Sequence, residues 1–142
     1  MTKKYIISND FLGFVTTYSP YLKKLSKNFY NIIQEINVSG WNKAFARIIR
    51  RLDNLDPNTA SKDEVMATLR IAKSEISLLI ALADISEEWD LVKTTNSLSK
   101  FADLAIAKSL QFVIADRAKN KQLKSSNIED SGIFIIAAGK ML

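Results

Sequence analysis

The sequence predicts a mainly α protein, an antiparallel helical bundle with one C-terminal β-strand. Apolar residues recur at helical spacing along most of the 142 residues. Only four glycines and two prolines are present, so few positions interrupt regular structure. One apolar run, Ile133–Ala138, lacks helical spacing and is rich in β-branched and aromatic residues, which favours a strand.

Two capping signals begin the first helices. The triplet Ser-Asn-Asp at positions 8–10 can cap a short helix. Ser19-Pro20 then places a capping serine before a proline that suits the first helical position. The apolar residues that follow keep helical spacing as far as Ile36, and this helix can break near Asn28.

A stop and a loop bound the next helix. The segment Asn37–Gly40 ends the preceding helix, and an amphipathic stretch runs from Trp41 to Leu52. The polar segment Asp53–Ala60, which contains Pro57, is expected to form a loop.

The longest periodic stretch is Ser61–Ile85, and the other helices are expected to pack on it. Ser61 and Glu64 match a capping box, while Glu75 sits mostly off the apolar stripe. That stripe has six residues at alternating steps of four and three: Val65, Leu69, Ala72, Ile76, Leu79 and Ala83.

A second long helix is expected from Asp90 to about Lys119. Its stripe is predicted to be Leu91, Thr95, Leu98, Ala102, Ala105, Ser109 and Phe112. Because the connection to the preceding helix is short, the two helices should pack antiparallel, with Trp89 buried in the seam between them.

Composition excludes several kinds of site. The chain has no histidine and no cysteine, so it cannot form a Ser-His-Asp triad, a Cys-His pair, a His-ligated zinc site or a disulfide. Its beginning lacks the sustained apolar core of a signal peptide, and no apolar run is long enough to cross a bilayer. A cytoplasmic protein without a membrane partner is expected.

Three charged clusters admit a functional and a structural interpretation, and the structural one is favoured for each. Two basic clusters could bind phosphate or could complement the negative end of a helix dipole. The first cluster is Arg47, Arg50 and Arg51, and the second is Arg117, Lys119, Lys121 and Lys124. An acidic cluster, Glu87, Glu88 and Asp90, could hold Mg²⁺ or begin the next helix.

Gly139 and Lys140 follow the predicted strand and are the candidate nucleotide-binding residues. A strand followed by glycine and lysine can present backbone N–H groups and an ammonium to a phosphate. The pattern of a Walker A loop is absent.

The order and spacing of several motifs resemble the N-terminal part of the bifunctional glutamine synthetase adenylyltransferase/adenylyl-removing enzyme family. The resemblance runs from about Phe11 to the end of the chain and is densest between Leu69 and Asp103. The matching motifs are Ser19-Pro20-Tyr21-Leu22 with Leu25; Leu69-Arg70-Ile71-Ala72-Lys73; Leu79-Ile80-Ala81-Leu82-Ala83-Asp84-Ile85; Trp89-Asp90-Leu91; Leu98 with Phe101-Ala102-Asp103; and the Ile133 strand leading to Gly139-Lys140.

The resemblance implies an enzyme with two nucleotidyltransferase domains of the polymerase-β type. One domain attaches AMP from ATP to a tyrosine of glutamine synthetase, and the other removes it by phosphorolysis. Glutamine synthetase and a PII-type regulator are the implied partners, and Mg²⁺ held by an Asp-x-Asp pair is the implied cofactor of the complete enzyme. In the family a Gly-Lys-hydrophobic-Gly turn precedes that pair. Here Leu142 stands where the family has glycine, and the pair is absent from the sequence.

Residues 1–125 are therefore expected to be a helical N-terminal region. Residues 126–142 are expected to be a linker and the first strand of an incomplete nucleotidyltransferase domain. The chain alone should be catalytically inactive, without catalytic or metal-binding residues and without a bound cofactor. It would be a truncated protein or the product of a split gene, with the remainder of the enzyme as a further partner.

Two alternatives stay open. One is a stand-alone basic helical module, with a net charge of +5, that binds nucleic acid or an acidic protein. Tight nucleic-acid binding is not expected, because the positive charges are dispersed and few aromatic residues stand among them. The other alternative is a self-associating helical bundle.

Overall fold

The computed structural model describes residues 7–136, which form six α-helices and one short 3-10 turn. The helices, numbered in chain order, are α1 (Asn9–Tyr18), α2 (Pro20–Asn28), α3 (Tyr30–Ser39), α4 (Trp41–Asp53), α5 (Lys62–Ile85) and α6 (Leu91–Lys119). The 3-10 turn is Glu129–Ser131. The prediction of a mainly α protein is confirmed.

Side-chain caps begin four of these helices where the sequence predicts them. The hydroxyls of Ser8, Ser19 and Ser61 each accept a hydrogen bond from the backbone N–H three residues later, at 3.1–3.2 Å. The Asp90 carboxylate accepts one from the Lys93 N–H at 2.7 Å. Each bond satisfies a backbone donor that the helix itself leaves without a partner.

Two interruptions separate α2, α3 and α4. Phe29 lies between α2 and α3, so the predicted break near Asn28 is confirmed. Gly40 ends α3 with φ +86° and ψ 162°. A side chain strongly disfavours that backbone conformation, so glycine allows the chain to turn directly from α3 into α4.

Helix α5 is the centre of the bundle, as predicted. Five residues of its stripe are buried and Leu69 is half-buried. The helix packs against α2, α3, α4 and α6. Because neighbouring helices cover α5 on several sides, it provides more of the large, fully buried side chains than any other described helix. These side chains are Ile76, Leu78, Leu79 and Leu82.

Helices α5 and α6 pack antiparallel, and contacts at both ends show it. Near the connection, the Thr94 hydroxyl donates to the Asp84 carboxylate at 3.4 Å. At the other end, the Lys119 ammonium donates to the carbonyl of Asn58, just before α5 begins, at 2.6 Å.

The predicted core stripe of α6 is wrong over its first half. Leu91 is 72% exposed and Leu98 47% exposed, while the buried residues there are Thr94 and Ser97. Both of these residues are small, and Thr94 has a polar partner on α5, so they fit a close approach between helices that hydropathy alone does not identify. Apolar side chains of α6 consequently face outward.

The predicted strand Ile133–Ala138 is not found over its described residues. Ile133–Ile136 are irregular and exposed, and Ala137 and Ala138 lie outside the described residues. The physical reason is that a strand is stable only beside another strand, and none occurs between residues 7 and 136. The same part of the chain contains no helix with the length and apolar character that a membrane crossing requires.

Replacing Leu79 with alanine tests the central position of α5. The side chain is fully buried, so Leu79→Ala should lower the free energy of unfolding by about 2–5 kcal/mol through lost burial and the cavity left behind. Urea denaturation measures the change. Val38→Ala is the control, because Val38 is 86% exposed and should change stability by less than about 0.5 kcal/mol. A cost near zero for Leu79→Ala would show that this face is not buried in solution.

Candidate functional site

A buried carboxylate on α5 joins three helices. Glu75 is only 3% exposed, and its carboxylate binds the guanidinium groups of Arg51 and, at 3.5 Å, Arg47. The Nε of Arg47 also donates to both carboxylate oxygens of Glu35 on α3, at 2.8 and 2.9 Å. Arg47 and Arg51 lie one turn apart on α4, so both reach the same side of the helix.

This network changes the interpretation of the basic cluster at residues 47–51. Arg47 and Arg51 neutralise a buried charge inside the bundle and are not directed at an external phosphate. Arg50 is exposed in the last turn of α4, where it complements the helix dipole as expected. Glu75 lies off the apolar stripe, as its position in the sequence indicates, but it is buried all the same because α4 covers that side of α5. The only sequence signal for its partners was the spacing of four between the two arginines.

The acidic cluster at the α5–α6 connection has a structural role. Asp90 caps α6, which confirms the favoured interpretation, and Glu87 adopts a left-handed backbone with φ +57°. Among the residues that the structure describes, no three acidic side chains come together as metal ligands would.

Trp89 is buried as predicted, but its main aromatic partner is on α4. Its ring meets Phe45 edge-on at 5.7 Å, and the Lys93 ammonium lies 4.8 Å from the ring centroid. The backbone N–H groups of Glu88 and Trp89 both donate to the carbonyl of Ala83, which folds the connection back over the end of α5. That turn directs Trp89 towards α4.

Basic side chains in the second half of α6 donate hydrogen bonds to the loop that precedes α5. Lys108 donates to the carbonyls of Asp53 and Leu55 at 2.6 and 2.9 Å, and Lys119 donates to that of Asn58. Arg117 donates to the side chain of Gln122 at 2.5 Å. Arg117 and Lys119 lie in the last turn of α6, as the structural interpretation expects, and their contacts are with oxygens of this chain. Lys121 and Lys124 follow the helix at exposed positions.

Hydrogen bonds within the same loop lower the pKa of Asp56. The backbone N–H of Asn58 donates to its carboxylate at 2.9 Å, and the Thr59 hydroxyl donates at 3.0 Å. These bonds favour the ionised carboxylate and hold the pKa of Asp56 below its ordinary value of 3.8.

An apolar groove of about 500 Å³ lies between α5 and α6. Arg70 and Lys73 of α5 also line it, and both are exposed. Ile135, from the irregular segment after α6, also lines this groove. Its apolar lining residues are Leu69, Phe101, Ala105, Ile106, Leu110, Val113 and Ile135. The candidate nucleotide-binding residues Gly139 and Lys140 lie outside the described residues.

Comparison with known proteins gives one family. The profile of the family described as glutamate-ammonia ligase adenylyltransferase matches residues 10–141. No solved structure matches the chain.

Several relatives carry the same name, bifunctional glutamine synthetase adenylyltransferase/adenylyl-removing enzyme. The protein from Xanthobacter autotrophicus is 40% identical over 86 residues, which cover 58% of this chain and 9% of the relative. One from Rhodopseudomonas palustris is 28% identical, covering 87% of this chain and 13% of the relative. One from Agrobacterium fabrum is 25% identical, covering 93% and 14%. The chain thus spans a small part of the length of each relative.

Replacing Glu75 with glutamine tests the buried network. The substitution keeps the size of the side chain but removes the charge that Arg47 and Arg51 bind, so stability should fall by about 1–3 kcal/mol. Urea denaturation measures the loss. Asp103→Asn, at an exposed position on α6, is the matched control and should stay within about 0.5 kcal/mol of the parent. Equal effects of the two substitutions would contradict the assigned role of Glu75.

The lowered pKa of Asp56 predicts a pH dependence. Its contribution to stability should be fully present above the ordinary pKa of 3.8 and should disappear as the pH falls through the lower folded-state value. Thr59→Val removes one donor and should raise the pKa, measured by NMR titration of the Asp56 carboxyl carbon.

Thr95→Val serves as the control, because the Thr95 hydroxyl bonds only helix carbonyls of Leu91 and Val92. It should leave the Asp56 midpoint unchanged. If the midpoint does not move in Thr59→Val either, the Thr59 hydroxyl is not a cause of the lowered pKa.

Proposed function

The chain belongs to the glutamate-ammonia ligase adenylyltransferase family, and from this membership we propose that it forms the helical N-terminal region of an enzyme that adds AMP to glutamine synthetase and removes it. The observation that carries the proposal is the family match over residues 10–141. The relatives' names supply the proposed chemistry and the proposed protein substrate.

In this proposal residues 1–125 are a scaffold and residues 126–142 lead into a nucleotidyltransferase domain. The packing of α2, α3, α4 and α6 around α5 supports the scaffold role, because these helices share one core. The Ile133–Ala138 run would become a strand when a sheet supplies neighbours for its backbone N–H and C=O groups.

The nucleotide would be contacted by residues just after that strand. Backbone N–H groups near Gly139 and the Lys140 ammonium have the chemistry to bind phosphate oxygens. Magnesium needs several oxygen ligands, usually including carboxylates. Residues 7–136 bring no three acidic side chains together, so they do not fit a magnesium site. We propose that the necessary carboxylates lie elsewhere in the complete enzyme.

The proposed partners are glutamine synthetase, as the modified protein, and a PII-type regulator. The proposed location is the cytoplasm. Two of the arginines that could bind nucleic-acid phosphates are engaged within the bundle, which supports a protein partner over a nucleic acid.

An assay of AMP transfer tests the catalytic part of the proposal. The purified chain should neither adenylylate glutamine synthetase nor release AMP from it by phosphorolysis, with or without Mg²⁺, because metal-assisted phosphoryl chemistry requires carboxylates that the described residues do not assemble. Adding the Agrobacterium fabrum relative without its matching segment supplies the remaining domains in trans and should produce activity. Lys140→Ala should then reduce that activity.

Two results would contradict the proposal. One is robust metal-dependent activity from the chain alone. The other is activity of the mixture that is identical with and without this chain. In both comparisons, far-UV circular dichroism should confirm that each preparation is folded and mainly helical.

A further inference from the structure

The outward face of α6 carries no charged side chain between Leu91 and Val113. At 1.5 Å per residue this face is about 33 Å long. Charged residues of α6, such as Lys100 and Lys108, lie on other sides of the helix. The face consists of residues spaced to share one side of a helix: Leu91, Val92, Thr95, Leu98, Ser99, Ala102, Ile106, Ser109, Leu110 and Val113. An uncharged surface of this length is suited to contact with another apolar segment.

The C-terminal half of this face is one wall of the groove between α5 and α6, and Ile135 already lies there. Between Ala105 and Val113 the helix advances about 12 Å. The four residues Ile133–Ile136 span about 13 Å when extended. They carry no charge, and neither does the α6 wall of the groove. The run and the groove wall on α6 therefore match in length, and both are uncharged.

We propose that this groove is a docking seat for the chain's own Ile133–Ile136 run. Ile133 and Ile135 are 46% and 53% exposed, while Phe134 and Ile136 are 80% and 77% exposed. Ile135 is the member of the less exposed pair that lines the groove, so it is the anchor. The exposed cations Arg70 and Lys73 line the same groove, where they would disfavour a basic occupant. The run is apolar and uncharged, as the seat requires.

Docking in the groove competes with strand formation, and this consequence rests on the proposed function. The four residues are irregular where they lie beside α6, so pairing in a nucleotidyltransferase sheet requires them to change their backbone conformation. The seat therefore holds the run in a non-strand position until a sheet replaces the groove as its partner.

The seat is tested on the full 142-residue chain by the fluorescence of the apolar dye anilinonaphthalene sulfonate. Ile135→Asp should raise dye binding several-fold, because an ionised side chain leaves the groove and uncovers it. Ile136→Asp is the matched control, with the same chemistry one residue away, and should bind dye as the parent chain does. Circular dichroism confirms that both variants stay helical. Equal dye binding by the two variants would overturn the proposal.

Sedimentation velocity decides whether a second copy fills the groove instead. The parent chain should be a monomer. A dimer that Ile106→Asp, on the groove wall, converts to monomer would assign the groove to a second copy and would overturn the proposal. A parent chain that is a monomer agrees with occupancy by its own run.

The competition is tested by the affinity for the truncated Agrobacterium fabrum relative. Ile106→Asp weakens the seat without altering the run, so it should bind that polypeptide several-fold more tightly than the parent chain does. Ile85→Asp is the control, because Ile85 is equally exposed on α5 but does not line the groove. Unchanged affinity in Ile106→Asp would refute the competition. The dye experiment requires no AMP chemistry, so failure of the seat and failure of the proposed function are distinguishable.

Discussion

The buried charge of Glu75 constrains how α3, α4 and α5 pack together. A carboxylate in the interior is costly unless cations neutralise it, and here both cations come from α4. Arg47 and Arg51 can meet one carboxylate only if α4 lies against α5 in a single register. Arg47 also binds Glu35, so the register of α3 is tied to the same point. Apolar packing supplies most of the stability, and the ion pairs add a requirement for one register of α3 and α4 against α5.

Where α6 packs on α5, the constraint is the size of the side chains at the contact. Thr94 and Ser97 are the buried residues at the beginning of α6, and their small side chains allow a close approach to α5. This choice fixes the rotation of α6, because turning Leu91 and Leu98 inward would push the helices apart. The larger apolar side chains consequently point away from the core. Helix α6 therefore packs against the core through small side chains and exposes large apolar side chains on its outer face.

Sequence reasoning succeeded where the determinants are local. The caps at Ser19, Ser61 and Asp90 depend on residues within one turn, and each was predictable. It failed where the answer depends on a distant partner. Nothing near Glu75 in the sequence indicates that arginines 24 and 28 residues earlier will bury it. The α6 stripe failed because hydropathy treats every apolar face as a core face. For the candidate site, the sequence predicts Gly139 and Lys140 as nucleotide-binding residues. Both lie outside the described residues, so this stays a prediction.

The bundle and the Ile133–Ile136 run differ in how far they bury their apolar side chains. Helices α1–α5 bury most of theirs in one core, against which Phe101, Leu104, Ala105 and Phe112 of α6 also pack. The run contacts only the groove, which Ile135 lines, and its four residues are 46–80% exposed. A sheet would satisfy both its side chains and its backbone, which the groove does not. On the proposed function, the run, and not the bundle, is the element of this chain that would change its conformation beside a nucleotidyltransferase sheet.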